Sequence, residues 1–549
     1  MERIYCSKVP DYAVPEGLSL HQFLTQYNPD LATRDQVILE DLSAPFKKLT
    51  YGSLREKAAL GAAALSRRYH LQPGDCAIIY STNSVNYSLF AHAIMWMGGV
   101  IAGVNTAWTG HELVHSIQAV EPKVIACEPG LRDRVEQALK TVTGLKERPQ
   151  ILELGDTPGC FPRSFIDDPP REVTPLPAFD LSDGDSRKHP CLILFSSGTT
   201  GPPKAVLLSH HNLIAHLMSA RTSDARLNSC TAREVFFAPL PHMMGVLGAL
   251  LVPAYVGSYI GIMRQFDLEN YIKACSMAKA TILKMVPSIM ADFVQHPLTQ
   301  DLDLTSVDTL LSAGAALKPE VVAKLQRLLK GVNIVQGYGM SEAGVCTLPP
   351  HKSVAKSGSV GRLFPSVKVR IVDENLQDVQ PGQPGELLLR SPTVFMGYKN
   401  NEKATKESFH NGWLRTGDVL SIDDDGFLWF CERKKEMIKV KGNQVAPSEL
   451  EGILSSHDLV LGAAVCGYFD DTRQTEWPIG YVTLSPSVPG SERDRVLDEI
   501  RAWVDGQVAT YKRLRGGLHH IDALPKNPTG KLMRSQLPIK LAEKRKARM

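Results

Sequence analysis

Between Phe195 and Ala205 the chain reads SSGTTGPPK, set between two apolar runs in LILFSSGTTGPPKAVLLSHHN. Glycines let backbone N–H groups turn inward without steric cost, and a nest of such groups binds phosphate oxygens. Ser196, Ser197, Thr199 and Thr200 add hydroxyl donors around Gly198 and Gly201, and Lys204 adds a point charge. At about 4 Å in a partly shielded site, one such charge is worth roughly 4 kcal/mol against an anion. A polar surface turn uses the same residue types, but it does not call for this many hydroxyls and a lysine between strand-like runs. The spacing G-x-x-G-x-x-K followed by Ala205 misses the Walker pattern G-x-x-x-x-G-K-[ST]. The stretch therefore reads as a phosphate loop of another kind.

Five further stretches carry polar groups that packing alone would not select. VQGYGMSEAG sets Tyr338 between Gly337 and Gly339, with Ser341 and Glu342 just beyond. A ring flanked by glycines suits stacking on a flat ligand, and a nearby carboxylate suits a hard cation such as Mg²⁺. WLRTGDV holds Asp418, a carboxylate able to accept two sugar hydroxyls. ERKKEMIKVKGNQVAPSELE, from Glu432, is dense in lysine around Gly442, and a charge run alone is usually a solvated face. NPTGKLMR places Lys531 on a Pro/Gly turn, and APLPHMMGV holds His242, a type that more often sits satisfied in a core.

These groups need a scaffold. TYGSLREKAALGAAALSRRY reads as an amphipathic helix, DCAIIYST as a buried strand, YSLFAHAIMWMGG as a helix and KVIACE as a strand. Such alternation predicts α/β layers with largely parallel sheet. SHHNLIAHLMSA predicts a helix capped by Ser209. From Val367 to Phe430 the pattern changes to short strands and turns, and Ser448 with Glu451 reads as a capping box. The expectation is an α/β protein: a large multi-layer N-terminal domain over 1–432 with a small β-rich part, and a small, mobile α+β C-terminal domain over 433–549.

Composition bounds the function. A length of 549 residues predicts several domains, and 61 basic against 58 acidic residues leaves no footprint for nucleic acid. Ten scattered cysteines without C-x-x-C argue for reduced thiols inside a cell. MERIYCSKVPDYAV lacks the apolar core of a signal peptide. Val235–Met263 is long and apolar, but Pro239, Pro241, Pro253 and His242 make it buried core rather than a membrane span, so no integral membrane protein is expected. The tail Ala547-Arg548-Met549 admits two readings, a variant of the S-K-L peroxisomal address that an import receptor would bind and an ordinary solvated basic end. Peroxisome and cytoplasm thus both stand.

Taken together and in this order, SSGTTGPPK, YGMSE, TGD, RKKEMIKVKGNQVAPSELE and PTGK resemble the adenylate-forming superfamily, nearest its 4-coumarate–CoA ligase-like acyl-CoA synthetases. GDCAIIYSTNSVNY and GGVIAGVN resemble the family's N-terminal part, so the likeness spans nearly the whole chain. It implies an AMP-forming acid–thiol ligase that uses ATP, Mg²⁺ and coenzyme A. By the resemblance, Ser196 to Lys204 cover the β- and γ-phosphates, Glu342 holds Mg²⁺ with Thr199, and Tyr338 stacks on adenine beside Gly337, Gly339, Ser341 and Ala315. Asp418 takes the ribose hydroxyls, with Arg433 on the same nucleotide half, and Lys531 meets the α-phosphate and the substrate carboxylate. Rotation about Lys435 then brings in Lys439, Gly442 and Gln444 for thioester formation.

The resemblance also implies that His242 lies at the entrance of an acid pocket lined by Met244, Gly245, Gly248, Ala313, Gly314 and Gly337. That lining is small or flexible and, Lys284 apart, carries no charge. It suits an aryl, arylalkyl or medium-to-long acyl acid. The alternatives are an adenylating enzyme that hands acyl-AMP to a carrier protein or another acceptor, and a non-catalytic nucleotide-binding relative. The departures are Ala205 for glycine, Ser341 for threonine, Glu432 for aspartate, Ala316 for proline, and Arg264 where a CoA-contacting lysine is usual.

Overall fold

A computed structural model of the chain describes residues 2–43, 47–169, 172–196, 203–312, 319–348, 356, 358–440, 443–470, 473, 475–526 and 532–546. The chain separates into two compact units. One comprises Ile4–Val369 with Leu389–Leu414; the other comprises Met1–Arg3, Arg370–Leu388 and Arg415–Met549. The strand-rich segment that changes pattern after Val367 is shared between them.

The larger unit is built mainly on two large sheets. Among the described residues one has eight strands, in the order 397–398, 204–209, 190–196, 100–103, 76–80, 124–127, 150–155 and 161–162. Its centre is parallel and apolar: Cys76–Tyr80 and Val124–Cys127 are buried at every position, as strands covered on both faces should be. The second has seven, in the order 333–336, 309–312, 282–285, 233–236, 259–262, 37–41 and 48–50, parallel except at its last pair. The helix Val85–Trp96 touches strands of both sheets and is buried at all 12 positions. An amphipathic stripe would expose one side, so its near-continuous apolar sequence is the signature of a helix enclosed all round.

Several local expectations hold. Tyr51–Tyr69 is a helix that Thr50 caps reciprocally with Ser53, and His210–Ser223 is a helix capped by Ser209 with Asn212. The apolar run from Val235 breaks into a strand, a short helical stretch over Met243–Val256 and the strand Tyr259–Ile262, nearly all of it buried. No helix among the described residues is long and apolar enough to cross a membrane. The ten cysteines are free thiols. The capping box at Ser448 is not formed. Pro447 takes the first helical position, Ser448 Oγ donates to the Cys431 carbonyl at 2.8 Å, and Glu451 is drawn to Arg534.

The smaller unit has its own core. The strands 460–470, 475–484 and 518–520 form a sheet, and the helices Pro447–Ser455 and Arg493–Asp505 contribute Leu450, Leu454, Ile500 and Val504 to the same apolar cluster as Val465 and Val482. The hairpin 438–440/443–445 adds Ile438, Val440 and Val445.

Candidate functional site

The expected phosphate loop closes a β-hairpin. Pro190–Ser196 pairs antiparallel with Lys204–Ser209, and Ser196 stands directly opposite Lys204. The two described ends that flank the expected loop, Ser196 and Lys204, are thus neighbours in the sheet. Ser197, Gly198, Thr199, Thr200 and Gly201 lie outside the described residues, as do Ala313, Gly314, Ala315, Gly442, Lys531 and the tail 547–549.

Lys204 is held by a residue that the sequence reading missed. Its Nζ lies 4.7 Å from the centre of the Tyr398 ring, within cation–π range. Tyr398 in turn donates its hydroxyl to Glu342 Oε1 at 2.9 Å. Burial and the adjacent Glu342 carboxylate both hold the Tyr398 phenol protonated, so it remains a donor. Tyr398 is placed by pairing of 397–398 with the strand of Lys204 (Val206 opposite Tyr398) and by its amide, which donates to Thr405 Oγ1 at 2.9 Å. Sequence spacing gives no hint of this, because Tyr398 stands 56 residues from Glu342.

Glu342 sits in the turn between strands Tyr338–Met340 and Gly344–Leu348. It is 7 % exposed, and its backbone oxygen accepts from Phe395 N at 2.9 Å. The glycines here do definite work. A Cβ on Gly339 would lie 2.3 Å from Gly344 O, and one on Gly344, whose φ is +68°, would lie 1.9 Å from the His216 ring. Tyr338 is buried and its amide donates to Thr347 Oγ1 at 3.1 Å. Ser341 and Gly337 are partly exposed. One carboxylate aimed by a tyrosine fits Mg²⁺, which takes one or two carboxylates and fills its shell with water and substrate phosphate.

The segment around His242 is built by a tight turn. His242 Nδ1 accepts from Met244 N at 3.3 Å at the start of Met243–Gly245, which leads into Val246–Leu251. Gly245 is buried, and a Cβ there would lie 2.5 Å from Leu240 Cα. Gly248 instead looks toward Lys284, whose Nζ is 3.3 Å from where its Cβ would be. Arg264 is paired with Glu128 at 2.7 Å.

In the smaller unit Asp418 is 8 % exposed and stands opposite Arg433 across the strand pair, with their charged groups 3.7 Å apart. Lys434 is tied to Glu386 at 2.8 Å, as is Arg415, and these cations hold the Glu386 carboxyl below its usual range despite its burial. Lys435 and Lys439 are exposed. Lys439 is paired with Gln444 across the strand pair 438–440/443–445, and its amide donates to Glu476 at 2.7 Å. The Gln444 side chain lies outside the described residues. Arg534, three positions past Lys531, was not singled out by the sequence reading. It binds Glu451 at 2.7 Å, lies 3.7 Å from Glu432 and pairs with Glu436.

The AMP-binding enzyme family matches residues 31–399, and the AMP-binding enzyme C-terminal domain matches 449–531. The chain belongs to this family. The boundary expected at 432/433 falls between the two matched segments. A 4-coumarate–CoA ligase-like protein of Oryza sativa subsp. japonica is 32 % identical over 98 % of this chain and 95 % of its own. A 4-coumarate–CoA ligase of Narcissus pseudonarcissus is 31 % identical over 98 % and 97 %. An anthranilate–CoA ligase solved with anthranoyl-AMP shares 25 % identity and superposes with a TM-score of 0.82, over 97 % of this chain and 99 % of that one. The chain is accordingly an AMP-forming acid–thiol ligase, joining a carboxylic acid to CoA through an acyl-adenylate with ATP as co-substrate.

Proposed function

We propose that this ligase activates an aryl, arylalkyl or medium-to-long acyl acid, and that the Lys204–Tyr398–Glu342 chain organises its triphosphate end. The observation that carries this is the 2.9 Å bond from Tyr398 to Glu342 together with Lys204 on the same ring. A carboxylate attacking the α-phosphate brings like charges together, so groups fixed beforehand against the developing charge lower the barrier most. Lys204 and the loop donors bind the β- and γ-phosphates. Glu342 holds Mg²⁺ with Thr199, and the ion when bound neutralises phosphate charge. Tyr338 and Ala315 border the adenine, Asp418 and Arg433 take the ribose, and Lys531 supplies the cation for adenylation.

Lys439, with Gly442 and Gln444, serves the attack of the CoA thiol, and Lys435 is the pivot between the two half-reactions. His242, Met244, Gly245, Gly248 and Gly337, with Ala313 and Gly314, line the acid. For the tail Ala547–Met549 the two readings, a peroxisomal address and an ordinary solvated basic end, both stand; a tagged protein that still enters peroxisomes without those residues would dispose of the first. The main test is pyrophosphate release across aryl, arylalkyl and C6–C18 acids, with and without CoA, and products identified by mass. Acyl-CoA from one group of acids supports the reading. Pyrophosphate with acyl-AMP as the sole product moves the acceptor away from CoA.

A further inference from the structure

Beside the segment proposed to line the acid lies one ion pair that neither nucleotide chemistry nor packing accounts for. Glu234 lies on Arg233–Phe236 and Lys284 on Ile282–Met285, parallel neighbours with Glu234 opposite Ile282. Side chains alternate across a strand. Val235, Leu283 and Met285 enter the apolar cluster on one face, so Glu234, Phe236 and Lys284 share the other. There Lys284 Nζ meets Glu234 Oε2 at 2.6 Å. The two ends of the pair differ: the Glu234 side chain is 4 % exposed, the Lys284 side chain 19 %. The second Glu234 oxygen is buried and finds no hydrogen-bond partner among the described residues.

Such a pair is an expensive way to fill a core. Well-packed apolar residues of similar volume often serve as well or better. An ammonium carries three donors, and the single side-chain bond recorded for Lys284 among the described residues goes to Glu234. What stands beside the ammonium is Gly248, in the helical stretch that begins one residue after His242. A Cβ at 248 would stand 3.3 Å from Nζ and 4.0 Å from Phe236 Cε2, so the glycine keeps that approach open.

We propose that Lys284, held and neutralised by Glu234, is a specificity residue that donates a hydrogen bond to a neutral acceptor oxygen on the distal part of the acid. The inference rests on the acid–CoA ligase reading and deepens it. It narrows the substrate class to carboxylic acids bearing a hydroxyl or carbonyl oxygen away from the reacting carboxylate. Because Glu234 cancels the charge of Lys284, a second carboxylate gains little there.

The test uses the full-length protein and matched acids: octanoic against 8-hydroxyoctanoic, and 3-phenylpropanoic against 3-(4-hydroxyphenyl)propanoic, with suberic acid as the charged control. Acyl-CoA formation gives kcat/KM for each. In at least one pair the hydroxylated acid is preferred by about tenfold or more, the scale of one hydrogen bond to a charged group. The double variant K284M/E234Q, which leaves no lone buried charge, brings that ratio close to one. G248A, which adds a methyl in front of the ammonium, lowers the same ratio without touching the pair and keeps the test alive if the double variant does not fold. Ratios near one in the native enzyme, a ratio unchanged in the variants, or suberic acid preferred over 8-hydroxyoctanoic acid would each overturn the proposal while leaving the ligase intact. No thioester from any acid would overturn the ligase reading and this proposal with it.

Discussion

Apart from the Lys284–Glu234 pair of the larger unit, the core histidines of that unit and Arg534 of the smaller one are buried in different ways. The larger unit buries neutral histidines: His92 contacts His21 at 3.3 Å and the Leu250 carbonyl at 3.2 Å, His210 accepts from Leu20 N at 3.0 Å, and His216 packs under Gly344. Burial pushes His92 down to about 4 and His210 and His216 to about 3, so at neutral pH the charge problem does not arise. The smaller unit buries a full cation instead. Arg534 is ringed by Glu432, Glu436 and Glu451 and stays ionised. One strategy avoids desolvating charge; the other compensates it with several partners at once. The first fails in acid, and the second fails when a partner is removed.

That contrast can be broken by measurement. The largest effect is expected from acid on the larger unit. A histidine whose folded pKa lies below its unfolded value of about 6.5 stabilises the fold above that value, and this is lost as pH falls toward the folded pKa. Each of His92, His210 and His216 then forfeits on the order of 2 kcal/mol at pH 5. Urea unfolding at pH 7.5 and 5.0 reads the loss, and His210→Asn, which keeps an acceptor and cannot titrate, shrinks the difference between the two pH values. An unchanged difference in that variant would refute the assignment to His210.

Next comes Arg534→Met, which strands three carboxylates and costs about 3–5 kcal/mol at neutral pH. Calorimetry or urea unfolding checks it, and a loss below ~1 kcal/mol would mean that the cluster behaves as an exposed ion pair. Third, Lys531→Ala lowers adenylation by at least ~10²-fold while supplied acyl-AMP and CoA still give thioester, and Lys439→Ala does the reverse. Loss of one and the same half-reaction in both variants would rule out separate roles for the two lysines. Smallest is Tyr398→Phe, which removes one neutral donor from Glu342 and slows pyrophosphate release about fivefold. A variant as fast as the native enzyme would show that Tyr398 does not aim the carboxylate.

The same contrast separates the cations of the lysine-rich stretch. Arg433, although exposed, pairs with Asp418, and Lys434 pairs with Glu386, whereas Lys435 and Lys439 are exposed and form no ion pair among the described residues. Adjacent basic residues look alike in sequence, and only their partners distinguish a structural cation from one without an ion pair. The larger elements were legible because their signals are local. Periodicity, caps and turn residues placed the helices Tyr51–Tyr69 and His210–Ser223 and the buried strands. Ser448 with Glu451 had the same local form and was misread, since Cys431 and Arg534, distant in sequence, compete for both side chains.

By itself, the sequence determined the order of the chemical groups along the chain: the glycine-bounded hydroxyl loop, Glu342 after a Gly-Tyr-Gly turn, Asp418, and the lysines at 439 and 531. These are contiguous motifs whose chemistry depends on neighbours a few residues away. Tertiary structure alone decided that Tyr398 joins Lys204 to Glu342, that Arg534 gathers three carboxylates, and that Gly248 opens onto Lys284. Each of these depends on strand register or packing between segments far apart in sequence, and no local propensity encodes which distant side chain a backbone will bring within hydrogen-bond reach.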